Sequence, residues 1–420
     1  MDPSLLALLR CPFCGTALTL VDSLPVQREG DRIMSAVVGC ACCAYPVVGG
    51  IPVVIAGDRE RAAMNAIEAG QHDHALDLML DLDAPRRAAF EALVARGDAA
   101  TYREALDILS PDAEGTYFVH RLSDPTFVTA SAVLRAIAQA SGTVDGWVVD
   151  VCGGAGHLTR LLTDLRGNGP GGTIIADLYY WKLWLAARFT APRALPVCCD
   201  ANDPLPLVRG LASLVMLSDA FPYIWRRRAL AEELMRLVGP GGTLVMPHLH
   251  SALGENFSAG MTLTPAGYAD LFAPRSPRLF PDSVLFDDVV ERATVDLTRH
   301  VAPDALGTEP SFTLVASREP GVFARRQVPP STAVSGTLAV NPLYAVHRDG
   351  PSSTLTLQFP TPEYEEEFGA CRRYLPESVA LAADLTAPLD AGRLRAALGA
   401  EVYDDLRRRL VLIDAPPRYC

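Results

Sequence analysis

Short, wholly apolar runs alternate along the middle of the chain with longer segments whose apolar residues recur every three or four positions. Trp147 to Val151 is β-branched and apolar apart from Asp150, and Leu158, Leu161, Leu162 and Leu165 follow at helical spacing. Thr173 to Ala176 runs apolar into Asp177, Leu195 to Cys199 into Asp200, and Leu214 to Leu217 into Ser218 and Asp219. A helical segment, Arg227 to Val238, then closes on Gly239-Pro240-Gly241-Gly242 before a fifth run, Leu244 to Met246. Strands apolar on both faces, separated by amphipathic helices, predict an α/β fold with a doubly wound parallel sheet. Residues 293–301 and 311–317 are the expected last two strands, the final one antiparallel. Residues 59–114 read as a helical connector. Beyond Glu319, strands are expected at Thr337 to Val340 and Thr354 to Leu357, then helices from Leu385 to Leu410 and a closing run at Val411 to Asp414.

The turn after the first run, Cys152-Gly153-Gly154-Ala155-Gly156, carries the chemistry. Glycine is needed where backbone must approach a ligand or adopt positive φ, and the following helix offers unpaired N–H groups. Asp177, about twenty residues on, is placed to accept hydrogen bonds from the two hydroxyls of a ribose. This ordered series resembles the class I S-adenosylmethionine-dependent methyltransferases, with Cys152 standing where the family usually has its first glycine. The resemblance implies a Rossmann-like methyltransferase sheet. It also implies cofactor contacts at Asp150, Gly153, Gly154, Gly156, Asp177, Asp200, Ala201 and Ser218, with Asp200 and Ala201 bordering the adenine. A leading helix in this family serves as a lid, which would bring Tyr117 and Arg121 to the cofactor or substrate.

At the N-terminus, Cys11-Pro12-Phe13-Cys14 is matched by Cys40-Ala41-Cys42-Cys43. Paired thiolates suit a closed tetrahedral zinc site, with Cys11, Cys14, Cys40 and Cys43 as the expected ligands and Cys42 as a spare or an alternative ligand. Such a site is structural, because no coordination position is left for substrate. The segment resembles the small zinc-ribbon partner of tRNA, rRNA and protein methyltransferases. Four regions follow: a zinc ribbon at 1–58, the connector at 59–114, the methyltransferase sheet at 115–318 and a C-terminal α+β accessory domain at 319–420.

In such a sheet chemistry lies beyond the carboxyl ends of the strands. Asp219 and Phe221 follow the fourth strand and His248 and His250 the fifth, the two imidazoles on one side of an extended segment. His248 or His250 is the expected base, Asp219 orients either that base or the substrate, and Phe221 is a substrate contact. The 420 residues carry a formal net charge of −12 and a pI near 5.2, which disfavours a nucleic-acid partner. No apolar run reaches the length of about 20 residues that spans a bilayer, and no cleavable signal pattern begins the chain, so a cytoplasmic setting is expected. The leading expectation is methyl transfer to a small-molecule or specialised-metabolite acceptor. An RNA or protein acceptor is the alternative and a non-catalytic S-adenosylmethionine-binding scaffold the second; oligomeric state stays open.

Overall fold

Ten strands position everything that follows: β1 Arg32–Gly39, β2 Ala44–Val48, β3 Ile51–Val54, β4 Trp147–Val151, β5 Thr173–Asp177, β6 Leu195–Cys199, β7 Ala212–Met216, β8 Val238–His250, β9 Arg278–Pro281 and β10 Ser311–Ser317. They belong to a computed structural model that describes residues 1–140, 144–166, 169–258, 260–331, 333–350, 352–385 and 389–419. In the main sheet they lie in the order β1-β2-β3-β6-β5-β4-β7-β8-β10-β9. Pairing is parallel from β3 to β8, and β10 runs antiparallel to both β8 and β9. The sheet grows from β4 through β5 and β6 in one direction and through β7 and β8 in the other. That reversal opens a crevice at the carboxyl ends of β4 and β7, where a doubly wound sheet takes its ligand.

The apolar runs form these strands because both faces are covered: all five residues of β5 are buried, as are Leu244, Val245 and Met246 of β8. The helix Arg227–Leu237 buries Leu230, Ala231, Leu234 and Leu237, a single stripe at helical spacing. Each fully buried leucine contributes about 1.5–3 kcal/mol.

Two sequence expectations are corrected. The strand that precedes β10 in the sheet is β9, not residues 293–301; Thr294–Asp296 instead pairs with Arg325–Gln327 in a separate two-stranded sheet. The signal of β9 is short because only Leu279 and Phe280 of its four residues are buried. The expected boundary at residue 58 also does not end a structural unit. Val53 pairs with Cys198 and Val54 with Cys199, so the N-terminal strands extend the central sheet.

Two compact units result. The first comprises Met1–Ala92, Ile137–Ser283 and Leu297–Ala324; the second comprises Leu93–Ala136, Val284–Asp296 and Arg325–Cys420. They divide the connector, whose helices Asp58–Glu68 and His72–Leu80 belong to the first unit and Tyr102–Leu109 to the second. The second unit has its own core, including Leu343, Leu355, Tyr364, Phe368, Leu406 and Leu412. Its three-stranded sheet joins Tyr344–Asp349, Ser352–Leu357 and Ser378–Leu381. Thr337–Val340 pairs with Leu412–Ala415. Of the helical leucine segment, Ala391–Leu398 and Ala400–Arg408 are helices broken at Gly399, while 386–388 lie outside the described residues.

Candidate active site

The turn between β4 and the helix His157–Arg166 is built by close packing as much as by flexibility. A Cβ on Gly153 would lie 2.7 Å from Ile175 Cγ1 and 2.9 Å from Asp150 Oδ2; one on Gly156 would lie 2.9 Å from Ala186 Cβ. Gly154 and Gly156 have φ of 56° and 85°, and Cys152, the departure from glycine, has φ of 59°. A side chain in that left-handed region costs about 1–2 kcal/mol.

Beneath the turn, Asp150 is buried and accepts a 2.6 Å hydrogen bond from the Thr159 hydroxyl. Burial pushes its carboxyl up to about 7, with the charge of Asp177 adding to the effect and the Thr159 bond opposing it. Asp150 therefore braces the turn from below. Asp177 accepts the Gly154 N–H at 2.9 Å on one oxygen and the Tyr179 N–H at 2.9 Å on the other. These two backbone donors fix the carboxylate at the end of β5, beside the glycine turn. Asp200 accepts from the Asn202 backbone at 2.8 Å and side chain at 2.9 Å, beside buried Ala201. Ser218 reaches the Pro247 carbonyl at 3.5 Å.

Strand β8 changes register against β10 between Met246 and Leu249. His248 sits in that irregularity with φ of 58°, the same value as Asp219 after β7. A bulge re-aims the side chain that follows it. Here it brings His248 and His250 edge to face, ring centroids 4.8 Å apart.

His250 Nε2 lies 2.9 Å from Asp219 Oδ1, and His250 Nδ1 is buried without a partner among the described residues. An ionised carboxylate only accepts, so the His250 proton resides on Nε2 and is donated to Asp219. His248 Nδ1 lies 3.0 Å from Asp282 Oδ2, whose other oxygen accepts from the Thr313 hydroxyl at 2.8 Å. The Asp282 carboxylate only accepts, so His248 Nδ1 donates to it. Asp282 was missed by sequence reasoning: a single acidic residue after Pro281, it carries no local pattern pointing to His248. The ligand atoms of Asp219, His248 and His250 lie within 4.8 Å of one another, a spacing compatible with a metal ion. Coordination through His250 Nε2 would move the proton to the enclosed Nδ1, at a cost of about 1–3 kcal/mol for a buried donor without an acceptor. The hydrogen-bonded pairing therefore describes the cluster better.

Three expected substrate contacts are occupied otherwise. Phe221 is fully buried, with its ring 5.6 Å from that of Tyr268 and 5.9 Å from that of Phe272. It is a core residue, which corrects its expected role. Arg121, in the second unit, is buried and held by Asp124 at 2.7 Å. A buried guanidinium committed to a carboxylate anchors its own helix turn. Tyr117 packs its ring 5.7 Å from Phe368 in the same unit.

In the N-terminal cysteine group the four converging thiols are Cys11, Cys14, Cys40 and Cys42. Cys42, the expected alternative, stands in this group in place of Cys43, whose sulfur lies 3.5 Å from that of Cys42. The knuckle closes with the Cys40 N–H donating to the Cys43 carbonyl at 2.9 Å, and Cys43 packs against the hydrophobic core. Sulfur separations are 3.7 Å for Cys11–Cys42, 3.6 Å for Cys14–Cys40 and 3.5 Å for Cys40–Cys42. Tetrahedral zinc with Zn–S of about 2.3 Å requires roughly 3.8 Å, so the four thiols fit that ion.

No family model matches the chain, and no curated protein matches it. Among solved structures it is similar to an S-adenosylmethionine-dependent methyltransferase from Aquifex aeolicus, at 14% identity and a TM-score of 0.33 over 48% of this chain and 97% of that one. A complex of the Haloferax volcanii Trm112 methyltransferase activator with a methyltransferase gives 18% identity and a TM-score of 0.34, over 48% and 93%. Geranyl diphosphate C-methyltransferase from Streptomyces coelicolor A3(2) gives 17% and 0.33, over 50% and 85%. Likeness at this level leaves activity and acceptor to the site itself.

Proposed function

We propose that the first unit transfers a methyl group from S-adenosylmethionine to a small-molecule acceptor. The observation that carries this reading is that the glycine turn, Asp177 and the His248–Asp282 pair all stand at the carboxyl ends of strands in one sheet. Gly153, Gly154 and Gly156 would face the methionine portion of the cofactor, Asp177 its ribose, and Asp200 with Ala201 its adenine. The cofactor, when bound, supplies a methyl already made electrophilic by sulfonium. The protein's part is to hold the acceptor in line and exclude water. For a hydroxyl acceptor, His248 is the group to take the proton, with Asp282 stabilising the resulting imidazolium. His250 positions Asp219, whose side chain is 35% exposed and able to meet a polar group of the acceptor. The acidic chain favours a small molecule over a polyanion.

A second reading, an RNA acceptor, draws support from Trp225, which is 80% exposed in a groove shared with Arg226, Arg227 and Arg228. An exposed aromatic ring beside arginines suits an unstacked base. The Cys11, Cys14, Cys40 and Cys42 group would hold structural zinc in either case.

Calorimetry with S-adenosylmethionine tests the assignment. The parent binds and Asp177→Ala does not; a parent that fails to bind defeats the reading. His248→Gln keeps cofactor affinity but lowers labelled-methyl transfer to cellular small-molecule fractions by about 100-fold or more. Transfer confined to the RNA fraction would install the second reading, and binding without transfer to any fraction would leave a scaffold.

A further inference from the structure

The second unit contains a cavity of about 420 Å³, within the range of about 300–1,000 Å³ typical of small-molecule sites. Phe127 and Val128 from the helix Pro125–Ala138, with Val289, Val290 and Val328, make much of its wall apolar. Two donors on the same helix, one turn apart, interrupt that wall: Ser131 and Arg135. The Ser131 hydroxyl is buried with no hydrogen-bond partner among the described residues, not even the carbonyl one turn back.

The other arginines around the cavity are neutralised. Arg373 is held by Asp287 at 2.6 Å and Glu291 at 3.0 Å, Arg292 by Asp288, and Arg408 and Arg409 by Asp405. Arg135 has no carboxylate or carbonyl within hydrogen-bond distance among the described residues. Asp414 attracts it only at longer range, Arg407 repels it, and burial is the main influence disfavouring its charge. Its place in the last helical turn is favourable to a cation, and with no protein acceptor on it among the described residues the guanidinium keeps its N–H donors for a ligand that enters the cavity. A half-buried guanidinium with no carboxylate on it and a buried, orphaned hydroxyl one turn away in one cavity are both suited to an acceptor-only anion.

We infer that this cavity binds a small organic carboxylate with an apolar body, its carboxylate bridging Arg135 and Ser131 and its hydrocarbon lying against Phe127, Val128, Val289 and Val328. The site belongs wholly to the second unit and stands whether or not the first unit transfers methyl groups.

Decanoate is a suitable probe, with decanol as its uncharged counterpart. Titrated into the full chain in the presence of excess S-adenosylhomocysteine, decanoate binds at one equivalent and decanol at least tenfold more weakly. Arg135→Met lowers decanoate affinity at least tenfold and abolishes the preference over decanol. Ser131→Ala, which removes only the hydroxyl, weakens decanoate several-fold and keeps the fold testable should Arg135→Met unfold. Equal affinity for decanoate and decanol, or affinity unchanged in both variants, overturns the assignment, as does absence of binding at millimolar decanoate. Failure of the methyltransferase reading would appear separately, as absence of cofactor binding by the first unit.

Discussion

At Cys152 a side chain occupies backbone that ordinarily favours glycine, since its φ is 59°. The left-handed cost of about 1–2 kcal/mol exceeds the roughly 0.4–1 kcal/mol that a glycine adds to unfolded-chain freedom. Cys152→Gly is therefore expected to stabilise the protein by about 0.5–1 kcal/mol, read as a raised midpoint in urea denaturation with an unchanged slope; a lowered midpoint would contradict it. The departure itself was legible in the sequence, because a glycine was expected there, but its conformation was not. Asp282 was illegible for another reason. Its role depends on a hydrogen bond to His248, 34 residues earlier, and no local periodicity encodes that meeting. Phe221 illustrates the converse: an aromatic residue after a strand end reads alike as a pocket wall or as core until Tyr268 and Phe272 are seen to enclose it.

Elements were legible where burial is two-sided and hidden where it is brief. The runs at β4 to β8 stand out because each strand is apolar on both faces, whereas β9 buries only Leu279 and Phe280. The bulge in β8 was not encoded by alternation at all; it follows from the pairing of Met246 with Leu314 and Leu249 with Phe312. In the cysteine knuckle, the spacing rule favoured Cys43 while the closed turn turns Cys42 toward the other thiols. Removing a ligand from a closed site should release the metal, since every thiolate is used. Cys42→Ser is expected to purify with less than half the parent's zinc by elemental analysis, and Cys43→Ser with parental zinc. The reverse pattern would restore Cys43 to the ligand set.

Across the whole molecule, the two units respond to acidity in opposite directions. In the first, burial raises Asp150 from its ordinary 3.8 to about 7. The folded state then holds a proton that the unfolded chain releases, and stability is lost as pH rises from about 4 through 7. In the second, burial foremost and then Arg103 lower His120 from 6.5 to about 4. The unfolded chain then takes a proton the folded state refuses, so stability is lost as pH falls from 6.5 toward 4. Between pH 5 and 8, hydrogen exchange should report falling protection in β4 and β5 and rising protection in the strands Tyr344–Asp349 and Ser352–Leu357. Asp150→Asn should flatten the first trend and His120→Asn the second; two units moving together would refute both assignments. The parallel pairing of Val53 with Cys198 has a consequence during synthesis. About 145 residues separate the partners, so at roughly 5–20 residues per second the ribosome exposes β3 some 7 to 30 seconds before β6 exists to receive it. For that interval Ile51–Val54 is a bare apolar edge, and a chaperone has its natural moment to shield it.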